Sequence, residues 1–224
     1  MDSFHNIDAA AVIPIKTNNQ RLPGKNTKIL GDKPLLNHLF DTLYENKIVS
    51  EIFVDSSDES ILNIARDYGF TPIKRPENLN SPNTQGNELL NFELKYIIHP
   101  IIAQLFVTLP FLKNSTINSA LIHLDENQNM DSIFGIYNLY NRFWFNETAI
   151  NHNPHKLDGT QYIKPIKAEV GFYVFRRKAF LKEKSRVTKK YFTIEVNKIE
   201  AIDIDDEFDF NIAESLISRG LIEK

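Results

Sequence analysis

Cysteine is absent from this chain of 224 residues, which excludes disulfides, thiolate metal sites and a cysteine nucleophile together. A reducing, cytoplasmic setting is the expectation that fits this absence. The chain also lacks any apolar run near the ~18 residues that a membrane span needs, and its start, MDSFHNID, has no basic stretch followed by an apolar one. Neither a membrane partner nor export is expected. No sign of charge dominates: 26 Lys and Arg stand against 29 Asp and Glu, a net charge of −3. There is thus no overall field to hold nucleic acid or an anionic membrane, and any anion site must be local. The phosphate-loop pattern GxxxxGK[ST] and the dinucleotide fingerprint GxGxxG are both missing, as are internal repeats and low-complexity segments.

With 42% hydrophobic and 25% charged residues, the chain can bury one sizeable core, so residues 1–224 are expected to form a single domain. Ala9 to Ile15 is a short apolar run that passes at once into polar, Gly and Pro residues, as a buried strand running into a loop does. Leu35, Leu36, Leu39, Phe40 and Leu43 recur at helical spacing behind Lys33-Pro34. Glu51 to Val54 reads as a strand, and Ile61, Leu62, Ile64, Ala65 and Tyr68 as an amphipathic helix ending at Gly69. The alternation continues with a helix around Glu88 to Ile98, a strand at Gln104 to Thr108, a helix around Thr116 to Asp125 and a strand at Asp131 to Tyr137. Residues 138–165 break the pattern and are expected to be an excursion used for substrate or dimer contacts. Val170 to Phe175 and Ile199 to Ile204 are expected strands, and Glu207 to Arg219 a final helix. This order predicts an α/β fold with a mostly parallel sheet covered on both faces.

The loop after the first strand, Lys16 to Asn26, brings Lys16, Arg21 and Lys25 within ten residues, with Gly24 able to bring backbone N–H groups close to a ligand. Ligands of open α/β sheets sit beyond the carboxyl ends of the strands, and charge-assisted bonds from Lys and Arg suit a polyphosphate. On charge alone, a solvated basic turn fits equally well.

Val12-Ile13-Pro14-Ile15-Lys16 followed by Arg21-Leu22-Pro23-Gly24-Lys25-Asn26 resembles the opening signature of the cytidylyltransferases that make CMP-linked acidic sugars, a hybrid of the acylneuraminate form and the 3-deoxy-manno-octulosonate form. The resemblance implies a three-layer, Rossmann-like sandwich of the nucleotide-diphospho-sugar transferase type and a homodimer. It also implies that Lys16, Arg21 and Lys25 hold the triphosphate of CTP and that Asn26 reads base or ribose. Lys16 stands where the family has Arg, which keeps the charge but loses the planar fork, and Asn18-Asn19-Gln20 replaces a more flexible stretch.

Further matches follow along the chain. Phe53 to Glu59 resembles the family's VSTDSEE stretch, although Asp58 equally suits the N-cap of the next helix. Arg75-Pro76-Glu77-Asn78-Leu79 resembles RPAEL, whose Arg is associated with the nucleotide, so Arg75 is expected at CTP. Thr108-Leu109-Pro110-Phe111-Leu112-Lys113 resembles the TSPFLK element at the ligand edge, with Phe106 and Val107 where a polar side chain is usual. Leu157-Asp158-Gly159-Thr160-Gln161 resembles a PxNLPRTQ-like stretch with Gly159 in place of Arg, and Glu169 to Phe175 resembles ENGAFYIF. By these matches Thr108, Gln161, Glu169 and Tyr173 face the acceptor. His152 and His155 are expected to be surface residues rather than a metal pair.

Asp203 and Asp205 are the most informative acids. On a strand they point the same way, and two carboxylates with a free edge suit Mg²⁺ that keeps waters and takes phosphate oxygens. Capping of the last helix explains Asp206 and Glu207 but explains Asp203 poorly. The string also resembles the family's IDIDTEEDFxxAE, in which the first two Asp bind the metal. The implied reaction is attack of a hydroxyl of a sialic acid or related nonulosonic acid on the α-phosphorus of CTP, assisted by Mg²⁺ and releasing pyrophosphate, with Lys16, Arg21, Lys25 and Asp205 as catalytic residues. Two alternatives stay open. One is a cytidylyltransferase for another acid, an octulosonate or a phosphonate; the other is a nucleotide-binding relative without turnover.

Overall fold

A computed structural model describes residues 7–17, 19–81, 83–156 and 158–222. Asn18 of the first loop and Leu157 of the excursion therefore lie outside the described residues. Seven strands form one sheet: β1 (Ala9–Pro14), β2 (Glu51–Ser56), β3 (Thr71–Lys74), β4 (Ile101–Leu105), β5 (Ser132–Leu139), β6 (Ile166–Arg176) and β7 (Tyr191–Glu195). Their spatial order is β7-β5-β6-β4-β1-β2-β3. Every neighbouring pair is parallel except those made by β6, which runs antiparallel to both β4 and β5. Every residue of β1 is buried, which follows from its central place between β2 and β4 and explains its continuous apolar run.

Helices α1 (Leu35–Tyr44), α2 (Glu59–Asp67) and α4 (Asn114–Glu126) cover one face, and α3 (Gly86–Glu93) with α5 (Arg177–Glu183) covers the other. The expected three-layer sandwich is thus present. The helix ends follow local chemistry: Asp58 caps α2 by accepting from Ser60 N at 2.8 Å, and Gly69 follows its end with φ of 75°. Asp206 and Asp209 form a capping box on α6 (Glu207–Ser218). Helix α6 packs Phe210 and Ala213 against Leu22, Leu30, Leu35, Phe111 and Ile204, so the last helix braces the first loop.

The sheet places the site. From β1 the chain builds β2 and β3 on one side, then crosses to β4 on the other. The order reverses between the carboxyl ends of β1 and β4, and the loops there, residues 15–26 and 106–113, flank the crevice where such sheets bind ligands.

Two expectations need correction. Residues 199–204 form no strand: Asn197 accepts from the backbone of Ile199 and Glu200, and Glu200 turns inward to accept from Lys113 N and the Thr116 hydroxyl. The closing strand is β7 instead, paired with β5. Asp203 and Asp205 consequently lie on an extended loop that touches the β4 side through one backbone bond, Ile204 N to Thr108 O at 2.8 Å. The excursion at residues 138–165 contains a two-residue strand pair, Trp144–Phe145 with Thr148–Ala149, and a short helical turn at Thr160–Tyr162.

Candidate active site

The first loop turns back on itself at Gly24, whose φ of 69° favours glycine, and then forms a short helical turn over Lys25–Thr27. Asn26 is buried and donates from Nδ2 to Lys16 O at 2.6 Å, so here it ties the loop's two ends together. Lys16 donates from Nζ to Thr84 O at 3.2 Å, across to the segment before α3. Burial, with Arg75 nearby, holds its pKa below the usual lysine value.

Arg21 reaches Asp205, with Nη2 2.8 Å from Oδ1, while two-thirds of its side chain stays exposed. Lys25 is buried; its Nζ donates to Ile204 O at 2.6 Å and sits 3.7 Å from Asp205 Oδ1. Burial lowers the Lys25 pKa, and the carboxylates of Asp205 and Asp203 oppose that shift. Lys25 is therefore a brace that fixes the 203–205 segment beside the loop. Burial raises the pKa of Asp203, offset by a hydrogen bond with the Thr108 side chain. A Cβ on Gly171 of β6 would meet Asp203 Oδ2 at an ordinary 3.9 Å, so crowding does not demand glycine there. Its place is the irregularity of β6 between Val170 and Tyr173, where the strand bends beside the crevice.

The structure thus brings together Arg21, Lys25, Thr108, Asp203 and Asp205, while Lys16 turns to Thr84. Asp203 and Asp205 fit a magnesium ion in chemistry: both are oxygen donors, each acts electrostatically on the other, and Mg²⁺ needs only one or two carboxylates when substrate phosphates supply the rest. Among the described residues no group of three or more His, Asp or Glu gathers into a metal site, and His152 packs against the Trp144 ring with centroids 5.1 Å apart.

Arg75 is placed differently from its expectation. It is 2% exposed, and both its Nε and Nη2 bind Asp55 Oδ2, at 3.0 and 2.8 Å. Only its Nη1 lacks a partner. Beside it the fully buried Glu93 of α3 faces Asp55, and burial together with the Asp55 charge pushes the Glu93 pKa well above the ordinary carboxyl range. A protonated Glu93 that donates to Asp55 supplies a partner for Asp55 Oδ1 and for one Glu93 oxygen, which otherwise lack one.

Glu169 and Tyr173 are joined by a hydrogen bond from the Tyr hydroxyl. Gln161 is exposed in the short turn at 160–162. Sequence reasoning passed over Glu93, Gln104 and Arg186; none belongs to a motif, and only the buried polar character of Glu93 and Gln104 inside apolar stretches gave any signal.

A mostly parallel sheet with a cationic loop and paired carboxylates at its reversal point defines a nucleotide-handling α/β protein. The chain belongs to the cytidylyltransferase family, whose model matches residues 10–217. It is 29% identical to the CMP-N,N'-diacetyllegionaminic acid synthase of Legionella pneumophila over 231 residues, covering 92% of this chain and 95% of that protein. It is 23% identical to the pseudaminic acid cytidylyltransferase of Campylobacter jejuni, covering 77% and 80%. Among solved structures, CMP:2-keto-3-deoxy-manno-octonic acid synthetase complexed with CTP shares the fold, with a TM-score of 0.72 at 15% identity over 95% of this chain and 99% of that one. The 4-diphosphocytidyl-2C-methyl-D-erythritol synthase of Anaerococcus prevotii does so with a TM-score of 0.68 at 12% identity, covering 96% and 98%.

Proposed function

We propose that this cytidylyltransferase transfers CMP from CTP to a hydroxyl of an acidic sugar of the nonulosonic type. The observation that carries this most directly is the convergence of Arg21, Lys25, Asp203 and Asp205 at the sheet's reversal point, in a chain that aligns along most of its length with a diacetyllegionaminic acid synthase. In the reaction the sugar oxygen attacks the α-phosphorus, the bond to the β-phosphate oxygen breaks, pyrophosphate departs and the hydroxyl proton is lost to solvent.

Arg21 and Lys16 bind phosphate oxygens and offset the charge that builds on the leaving pyrophosphate. Arg21 exchanges its contact with Asp205 for the nucleotide, and Lys25 keeps the 203–205 segment in place. Asp203 and Asp205 hold Mg²⁺, which when bound polarises the α-phosphate and screens the triphosphate charge. Arg75, sealed against Asp55, adds a fixed positive charge near Lys16 rather than a direct bond to the nucleotide. Thr108, Glu169 and Tyr173 line the acceptor side, with Gln161 on the excursion beyond.

The proposal includes a homodimer through residues 138–165, supported by the exposed Trp144, Phe145, Ile150 and Tyr162 there. Sedimentation of Trp144→Ser/Phe145→Ser beside the wild type tests it: a wild-type monomer at micromolar concentration removes the dimer. A cytoplasmic location is part of the same proposal; among the described residues no helix is long and apolar enough to cross a membrane. The activity is tested by pyrophosphate release from CTP with a panel of sialic, legionaminic, pseudaminic and octulosonic acids. Release that needs a nonulosonic acid supports the proposal, and release only with octulosonate reassigns the acceptor.

A further inference from the structure

Arg186 lies between α5 and β7, outside every motif discussed above. Its guanidinium covers the Tyr173 ring at 3.7 Å from the centroid and stands 5.6 Å from that of Phe106. Nη1 donates to Gln104 Oε1 at 2.8 Å, and the Arg186 backbone N–H donates to Asn87 Oδ1 at 3.3 Å. A Cβ on Gly86 would come within 3.0 Å of Nη1, so α3 begins with a residue that leaves this guanidinium room. Gln104 is fully buried and its Nε2 has no partner. The Phe106 ring in turn lies 3.6 Å from the point where a Gly171 Cβ would stand, the same point that is 3.9 Å from Asp203 Oδ2. One continuous floor therefore runs from Asp203 over Gly171 and Phe106 to Tyr173, with Arg186 at its far end.

The charges around Arg186 leave it needing an anion. Among the described residues no carboxylate forms an ion pair with it. Two acids act on its surroundings. Glu169 is hydrogen-bonded to Tyr173, and Glu93 is driven by burial toward its neutral form and so does not cancel a cation. Arg75, the neighbouring guanidinium, is already matched by Asp55. A planar guanidinium clamped on an aromatic face is pre-organised for two parallel bonds to a carboxylate. The phosphates have their own cations in the first loop.

Building on the function proposed above, we infer that Arg186 binds the carboxylate of the acceptor acid, with Tyr173 and Phe106 fixing the plane of its fork. Phe106, which stands where a polar side chain is usual, supports the cation instead of bonding the sugar. Gln104 holds Nη1, Tyr173 takes a further hydrogen bond, and the N–H groups left over meet the acid.

The test compares wild type, Arg186→Gln and Arg186→Lys in steady-state pyrophosphate release with N,N'-diacetyllegionaminic acid, or with the acid of the panel that turns over fastest, and with the carboxamide of the same sugar. For Arg186→Gln, KM for the acid rises at least tenfold, KM for CTP stays within twofold, and the wild type's preference for acid over carboxamide largely disappears. Arg186→Lys keeps the charge without the fork, retains part of that preference, and serves if the Gln variant does not fold. An intact preference with an unchanged KM for the acid overturns the inference, as does a rise confined to KM for CTP. A wild type silent with every acid instead overturns the proposed function itself.

Discussion

On the β1 side of the crevice the cations come from one short loop, whereas on the β6 side Gln104 meets Arg186 across 82 residues of sequence. Beside the turn at Gly24, Arg21 and Lys25 are held by one distant segment, 203–205, and Lys16 by Thr84 O. The Arg186 side draws on β4, β6, α3 and the chain before β7, around the fully buried Gln104. The physical difference is solvent. Arg21 stays mostly in water and Asp205 partly so, whereas Arg75, Asp55, Glu93 and Gln104 are sealed and act as scaffold.

Asp205→Asn should have the largest effect, because it removes the exposed carboxylate that the two loop cations share. Turnover should fall by roughly a hundredfold or more while the thermal melt stays close to wild type. Wild-type rates at matched Mg²⁺ would show that the first loop works without that acid. In the sealed network the cost appears in stability instead. Arg75→Met strands the Asp55 and Glu93 carboxyls in a buried site, and denaturant titration should show a loss of about 3–5 kcal/mol. A loss under about 1 kcal/mol would mean that the network is wet.

Glu93 sharpens the contrast through pH. Its folded pKa is raised above the unfolded value of 4.5, so its contribution to stability is full below 4.5 and is lost as pH climbs toward the folded value. Glu93→Gln is neutral throughout. Its stability relative to wild type should increase with pH above 4.5, with a limiting slope of about 1.4 kcal/mol per pH unit. Parallel pH curves would contradict a buried neutral acid. The smallest effect is expected at Lys28, 2.7 Å from Glu207 on the exposed rim of the first loop. Lys28→Gln should change stability by less than about 1 kcal/mol and leave KM for CTP nearly unchanged; a large rise in that KM would add Lys28 to the phosphate cations.

The same contrast governs what the sequence made legible. β1, α1, α2 and the first loop carry local signals: an apolar run, helical spacing, an Asp cap, a glycine at the turn. β3 was hidden because it is a four-residue edge strand with Pro72 inside it. β7 was hidden because Tyr191 and Phe192 stay exposed at the other edge, which blurs its alternation, while Ile199, Ile202 and Ile204 imitate a strand. Their burial comes instead from packing under α6 after a turn set by Asn197. α5, seven residues rich in charge, has too short a period to read. Asp203 and Asp205 stood out through their alternate spacing and the resemblance of the string around them, although the strand assumed for them is absent. Arg186 carried no local signal at all, since its partners are fixed only by the assembled sheet.

The central claim is activation of an acidic sugar by CTP. It is tested most directly by incubating the purified protein with CTP, Mg²⁺ and each acid of the panel, and following pyrophosphate and the CMP-linked product together. The account predicts equal amounts of both, dependent on CTP and on a nonulosonic acid. Pyrophosphate released without any acid, or no product with any of them, would contradict it.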